Sequence, residues 1–478
     1  MVQYLKLGFI SLRKLFRPKF YIINKNKSYS TQPSSSHVQF SYLSPNLNYK
    51  YFVSNSEQIS QNIINRNLKD VNISLVCSLY KNYRMIITEL NALRSKHNEL
   101  SKFNNNNLLS NESGSKTILL EEAKKLKQQI QQKESKLIEV EKELLKEALK
   151  IPNDTHFNTP IGNEENARLI KQIGETTITK DLSLKDHLTI SKNLNLINFD
   201  QASNVTGTSW YYLMNEGALL ELALIQYGIE KAIKKGFTPI ITPDVIKSEF
   251  SHACGFQPRD NEEVSQNYFI SNESSQNLVL SATAEVPLAG LYSNKILSHK
   301  ELPIKLVGFG RAFRSEAGAR GQDTKGLYRV HQFSKVELFT ITKNDQSDKM
   351  FEEIVELQED IYKDLGLCFR IMDMPTHELG ASTYRKYDME AWMPGRGKWG
   401  EISSASNCTD YQSRRLSIRY KSPSSNTTEF AHTLNGTAVA IPRLIIAILE
   451  NFQKDDGKSV VIPAVLRKWM GNKDIIKL

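Results

Sequence analysis

What this chain has little of narrows its chemistry first. Four cysteines, Cys77, Cys254, Cys368 and Cys408, are spread over 478 residues and never form a CxxC pair. That spacing argues against a disulfide framework or a thiolate zinc site and makes a reducing compartment the default. No apolar run is long enough to span a membrane, so no membrane role is expected. No obvious Ser–His–Asp or Cys–His set stands out, which points away from nucleophilic side-chain catalysis. Acidic residues are missing altogether before Glu57, whereas Lys6, Arg13, Lys14, Arg17, Lys19, Lys25, Lys27 and Lys50 all lie there. Of the formal charge of +10, only +2 (ten minus eight) therefore belongs to the rest of the chain. The body is not a uniformly cationic surface, whatever the total suggests.

The acid-free leader has a pattern of its own. Leu5, Leu7, Phe9, Ile10, Leu12, Leu15 and Phe16 alternate with Lys6, Arg13, Lys14 and Arg17, and hydroxyl-rich KSYSTQPSSS follows. A basic amphipathic helix without a continuous apolar core predicts a mitochondrial presequence over residues 1–35, with the matrix as destination. A basic tail that touches RNA is the other reading of these residues.

From about Glu57 to Lys150 the period becomes helical. Leu79, Tyr83, Ile86, Leu90, Leu93, His97 and Leu100 recur at alternating steps of four and three, as do Leu119, Ala123, Leu126, Ile130, Lys133, Leu137, Val140 and Leu144. A polar tip at Asn104–Asn107, Ser110 and Gly114 separates the two series. Two heptad helices with a reversal between them predict an antiparallel coiled-coil arm, assigned to residues 36–152 and stopped by Pro152. From these residues alone, a dimerisation scaffold and an RNA grip both fit. A linker over 153–185 and a third unit over 186–478 complete the division.

In that third unit, the stretch FRSEAGARGQDTKGLYRVHQFSKVE, Phe313 to Glu337, reads as two strands around a Gly-rich connection. Leu306, Gly308, Gly310, Ala312, Arg314 and Glu316 share one parity, and Arg329, His331, Phe333, Lys335 and Glu337 share another. Small residues on the first strand predict room above the sheet. Beside it stand an aromatic ring, cations and carboxylates, a set that suits a nucleotide and a small polar cation.

This string closely resembles motif 2 of class II aminoacyl-tRNA synthetases in the seryl-tRNA synthetase form, and the resemblance covers nearly the whole chain after the first fifty-odd residues. It implies an α+β fold: a class II antiparallel sheet flanked by helices, preceded by the antiparallel helical coiled-coil arm. It also implies an ATP- and magnesium-dependent ligase that activates L-serine and transfers it to serine tRNA, with the arm holding the RNA. Lys81, Arg84, Arg94, Lys96 and Lys102 then become candidates for phosphate contacts.

The resemblance carries over residue by residue. Arg314 matches the α-phosphate cation, Glu316 the acceptor from the adenine amino group, Phe333 the ring beneath adenine, and Glu337 the serine-binding carboxylate. Ser315 and Val330 join the nucleotide set. The tip, Ala317 to Leu327, would meet the acceptor end of the tRNA through Arg320 and Lys325. TAEVPLAG places Thr283, Ala284 and Glu285 at the serine; on its residues alone, Thr283 could be only a helix N-cap. In GKWGEISSASNCTDYQSRR, Glu401 and Ser404 match metal and phosphate ligands, with Ile402 and Ser403 beside the nucleotide. Plain strand parity would pair Glu401 with Ser403, so a bulge is expected between them. HELGAST departs from the family's usual run at His377 and Thr383. In HTLNGTAVAIPRLIIAILEN, Asn435 and Thr437 match the serine pocket, and Arg443, after Pro442 in the first helical turn, matches the γ-phosphate cation. Leu219, Leu222, Ala223, Ile225, Ile229 and Ile233, followed by FTPIITPDVI, resemble motif 1. Its helix and strand around Pro243 imply a homodimer interface.

Overall fold

The computed structural model describes residues 42–106, 113–175, 184–256, 266–271, 277–316, 326–422, 427–454 and 457–478. The predicted presequence lies outside them, as do Asn107, Ser110, Arg320 and Lys325.

The arm is two helices, α1 (Ile73–Asn106) and α2 (Ser113–Leu149). At the usual rise, the 34 residues of α1 extend about 50 Å. Glu89 bonds Lys133, whereas Lys96, further along α1, bonds Glu122, earlier on α2, at 3.2 Å, so the helices run antiparallel. Leu79, Ile86, Leu90, Leu126, Val140 and Leu144, all at predicted heptad positions, are buried. Gly114, predicted in the reversal, is already helical. Arg94 and Lys96 are committed to partners inside the arm, the latter to Glu122 at 3.2 Å, whereas Lys81 and Arg84 are exposed. At the arm's root, Ile73, Val76, Leu79, Leu144 and Ala148 pack with Leu47, Ile59 and Ile63 from the preceding segment into one apolar cluster.

An eight-stranded sheet carries the rest. Its strands are β1 (Arg168–Ile173), β2 (Thr238–Ile241), β3 (Ile304–Phe313), β4 (Gln332–Thr342), β5 (Phe369–Asp373), β6 (Arg385–Met393), β7 (Lys398–Asn407) and β8 (His432–Ala440). The order across it is β1-β5-β6-β7-β8-β4-β3-β2, antiparallel except for the parallel β2–β3 edge pair. The segment read as a linker thus supplies an edge strand, β1, rather than only a connection.

One face of the sheet packs on α3 (Asn215–Lys234), α4 (Ser347–Asp364) and α5 (Ile441–Asn451), joined by Val336, Leu338, Leu434 and Ala438. Leu220, Ala223, Leu224 and Tyr227 of α3 meet the core, while Leu219, Leu222 and Ile233 face outward. Two apolar stripes wrap this helix, and the sheet covers only one. Gly228 lets the backbone approach closely, since a Cβ there would come within 2.5 Å of the Val439 side chain.

Two bulges shape the central strands. Ser403 pairs with Met389 and Glu401 with Glu390, which leaves Ile402 as the extra residue. Val336 pairs with Val439 and Glu337 with Thr437, which leaves out Ala438. A bulge strips carbonyls of their ladder partners, and buried carbonyls need others. The α4 side chains provide them. Gln358 donates to the carbonyls of Ser404 at 2.8 Å and Thr437 at 3.0 Å, and the Tyr362 hydroxyl donates to that of Ala438 at 2.9 Å. Among the described residues, no helix is long and apolar enough to cross a membrane.

Candidate active site

The other sheet face holds a cavity of about 520 Å³. Among the predicted residues, Glu285, Arg314, Glu316, Val330, Phe333, Glu401, Ile402, Ser403, Ser404, Asn435, Thr437 and Arg443 line it. They come from β4, β7, β8, the start of α5 and the ends of the β3–β4 connection, so segments far apart in the chain converge as expected.

The cations and Glu401 form one cluster. Arg443 Nη1 lies 2.9 Å from Glu401 Oε2 and also donates to the Glu401 carbonyl at 3.1 Å. Burial, the largest single influence on Glu401, pushes its pKa up. Arg443, Lys386 and Arg314 outweigh it and hold the carboxyl down at about 2. Glu401 is therefore an anion throughout the neutral range. Because Ile402 is bulged, Glu401 comes round to the face that Ser404 shares, as the parity conflict predicted. Arg443 stands at the third residue of α5, directly after Pro442, and its guanidinium lies 4.7 Å from the centre of the Tyr328 ring. The Arg314 guanidinium lies 5.3 Å from the centre of the Phe333 ring, and its Nε donates to the Ala282 carbonyl at 3.4 Å. Glu316 adopts φ 48° just after β3 and pairs with Arg329 at 3.3 Å.

At the other end two carboxylates approach each other. The buried Glu285 accepts from Gln412 at 2.6 Å and Asn435 at 2.9 Å, both on the same oxygen. Burial first, then the charge of Glu337, raises its pKa to about 7. The Glu337 carboxyl is also shifted up by burial, against the pull of Lys335 and Arg314 and a hydrogen bond from Thr283. The charge of Glu337 thus hinders the ionisation of Glu285, and an acidic pair at this end suits a cation.

Several expectations need correcting. The space above Gly308 and Gly310 is not open: a Cβ at Gly308 would lie 2.7 Å from Leu288, and one at Gly310 2.7 Å from the Thr242 hydroxyl. Gly308 admits the short helix Glu285–Gly290, which brings Glu285 to the cavity, and Gly310 admits the segment that follows β2. Thr283 is no N-cap; Ala284 holds that position, and the Thr283 hydroxyl accepts the Glu285 N–H at 3.2 Å. Thr283, Ala284, Ser315 and Glu337 are not in the cavity wall. Glu337 is the next residue on the same face of β4 beyond Lys335, which does line the cavity and whose ammonium lies 2.5 Å away.

Sequence reasoning gave no role to Lys335, Tyr328, Lys386 or Gln412. Lys335 had a usable signal, since it shares parity with Phe333 and Glu337. So did Lys386 and its ion partner Asp388, 2.7 Å away, which alternate on β6 opposite Ser406 and Ser404. Gln412 had none.

A sheet of this order with such a cavity on its open face defines the class II aminoacyl-tRNA synthetase core. The family description "tRNA synthetase class II core domain (G, H, P, S and T)" matches residues 268–452, and "Seryl-tRNA synthetase N-terminal domain" matches residues 47–155. A serine–tRNA ligase of Treponema denticola is 43% identical over 429 residues, covering 89% of this chain and 99% of that protein. The mitochondrial serine–tRNA ligase of Saccharomyces cerevisiae is 46% identical over 356 residues, 74% of this chain and 78% of that one. The seryl-tRNA synthetase of Pyrococcus horikoshii, solved with ATP, superposes with a TM-score of 0.82 at 34% identity, covering 90% and 99%. The chain belongs to the seryl-tRNA synthetase family, and it is a serine-specific aminoacyl-tRNA ligase.

Proposed function

We propose that this ligase works in the mitochondrial matrix, uses magnesium, and divides its labour among the residues gathered at the cavity. The observation that carries this is the two-ended site: an Arg314–Glu401–Arg443 cluster at one end and the Glu285–Glu337 pair at the other.

The serine ammonium would lie against Glu285, in the field of Glu337 beyond the cavity wall, with Asn435 and Thr437 closing the pocket over the Thr283–Ala284 turn. Phe333 and Val330 would bound the adenine, with Ser315 and Glu316 at its edge. The serine carboxylate oxygen attacks the α-phosphorus; the bond to the bridging oxygen breaks, and pyrophosphate leaves with that electron pair. Arg314 meets the charge that grows on the α-phosphate, and Arg443 the γ-phosphate. Fixed guanidinium groups do this without reorganising during the step. In the second step the terminal ribose hydroxyl of serine tRNA attacks the seryl carbonyl carbon, and AMP departs. No side-chain nucleophile is needed; positioning and charge suffice. Glu401 and Ser404 fit magnesium, being hard oxygen donors on one face with Glu401 ionised, and the ion, when bound, would offset phosphate charge.

The domain division follows the same reading: a removable leader over 1–35, an RNA-gripping coiled coil over 36–152, a connection over 153–185, and the catalytic unit over 186–478. The yeast mitochondrial relative supports the leader's reading. If residues 1–35 fused to a fluorescent protein stay in the cytosol, that reading fails.

A homodimer is supported by the bare outer stripe of α3. Leu222 is 59% exposed, and Ile241 on the neighbouring edge strand is 87% exposed. Leu219, Ile233 and Val245 extend this apolar surface around Pro243, which suits a second copy of the chain. The wild type is expected to run as a dimer in light scattering, and a Leu222→Asp, Ile241→Asp variant as a monomer. An active monomeric wild type would refute this.

The whole proposal is tested by serine-dependent exchange of labelled pyrophosphate into ATP, followed by charging of serine tRNA. Both are expected, and both are expected to stop with EDTA and resume with magnesium. Exchange driven equally by alanine, or indifferent to magnesium, would overturn it. Alanine is the telling competitor, because it would leave the pocket's hydroxyl-binding groups unpaired.

A further inference from the structure

One wall of the cavity is formed by Gly380, Ser382 and Thr383, in the run that departs from the family pattern. Very little of what holds this loop belongs to the catalytic unit. Arg66, which ends the helix Ser56–Asn65 at the arm's root, is 3% exposed although it carries a full charge. Its guanidinium donates to the carbonyl of Gly380 at 3.1 Å and to that of Thr383 at 2.7 Å. The same group donates to the Asp154 carbonyl at 2.9 Å and the Thr155 hydroxyl at 2.9 Å. Asn153 completes the hold: its backbone N–H donates to the Ala381 carbonyl at 2.8 Å, and its side chain to that of Ser382 at 2.9 Å. Every carbonyl from Gly380 to Thr383 is thus taken by Arg66 or Asn153. A second line of contact leads inward, since Asn153 also donates to the Cys408 carbonyl at 2.8 Å, and the Cys408 sulfur accepts from Asn435 at 3.5 Å. Asn435 in turn bonds Glu285.

We propose that Arg66 is a positioning residue for the amino-acid end of the cavity: it fixes the Gly380–Thr383 wall, so the root of the helical arm sets the affinity for serine. A planar guanidinium reaches several carbonyls in fixed directions at once, which an ammonium cannot do. The nucleotide end is built on β4, β7 and α5, away from the carbonyls of Gly380 and Thr383 that Arg66 holds. The effect therefore falls on one substrate and spares the other. This inference rests on the serine and ATP assignment made above.

The test is pyrophosphate exchange by the full chain without its leader, with serine and ATP varied separately. For Arg66→Met the serine KM is expected to rise about tenfold or more, the loss of hydrogen bonds made by a buried charge, while the ATP KM stays within about twofold. Arg66→Lys is expected to recover only part of the loss. Should Arg66→Met fail to fold, Asn62→Ala serves instead. It removes the side chain that accepts from Arg66 at 3.3 Å and from Thr155 at 2.6 Å, and about a threefold rise in serine KM alone is expected. Equal rises in both KM values, or an unchanged serine KM in well-folded variants, would overturn the inference. If the wild type shows no serine-dependent exchange, the functional reading itself has failed, and this one with it.

Discussion

Glu337→Ala is expected to lower serine-dependent pyrophosphate exchange at least about 1,000-fold, a loss of about 4 kcal/mol of transition-state stabilisation. The size follows from what the carboxylate leaves behind. Glu337 is 2% exposed and lies 2.5 Å from Lys335, whose side chain is 9% exposed. Removing it takes away the counter-charge for serine's ammonium and also leaves Lys335 as a buried cation beside the pocket. That cation would repel the substrate, and Glu285, on which it also acts, is already bound by Gln412 and Asn435. Breaking one partner from a buried pair also costs about 3–5 kcal/mol of fold stability, so unfolding must be measured beside activity. Glu337→Gln keeps the volume and hydrogen-bonding shape and separates the two effects. It should fold well and still lose most exchange. Normal exchange in a folded Glu337→Gln enzyme would remove Glu337 from the serine site.

The second large effect concerns the arm. Deleting residues 91–132 and bridging Leu90 to Lys133 with a short glycine–serine turn should leave serine activation within about twofold. Transfer to tRNA should fall about 100-fold or more, because the reach of the arm is lost. Wild-type charging should also weaken steeply with salt, and the shortened chain should lose part of that slope. The position of the cut matters. A deletion of 72–149 would also remove Ile73, Val76, Leu79, Leu144 and Ala148 from the cluster that packs Leu47, Ile59 and Ile63. With that cluster gone the helix that ends in Arg66 loses its support, and serine KM should rise as well. If the shorter deletion damages activation as much as charging, the arm is part of the catalytic scaffold and not an RNA grip.

Much of this molecule can be read from one dimension because short-range periodicity is a direct record of which side is buried. The heptad positions Leu79, Ile86, Leu90, Val140 and Leu144 are buried in the helical arm. The alternation in Phe333, Lys335 and Glu337 gives one face of β4, opposite Ala312, Gly310 and Gly308 in the observed register. Even the bulge at Ile402 was legible, since two oxygen donors three residues apart cannot share a face of a regular strand. Other features are not read so directly. The glycines of β3 promised an opening, but a glycine says only that something comes close, and here it is a helix at Gly308 and the segment after β2 at Gly310. Apolar residues around α3 mark it as a helix, but periodicity alone does not say which of its two stripes meets the sheet.

The sequence by itself determined the elements, their buried faces and the family to which the chain belongs, because each of these is written within a few residues of itself. Tertiary structure alone decided that Lys335 guards Glu337, that Gln358 and Tyr362 satisfy the bulged carbonyls, and that Arg66 clasps a loop 317 residues further along the chain. Those contacts join side chains to backbone carbonyls across long separations. A carbonyl looks the same whichever residue carries it, so only the folded path of the chain selects which ones a buried guanidinium will find.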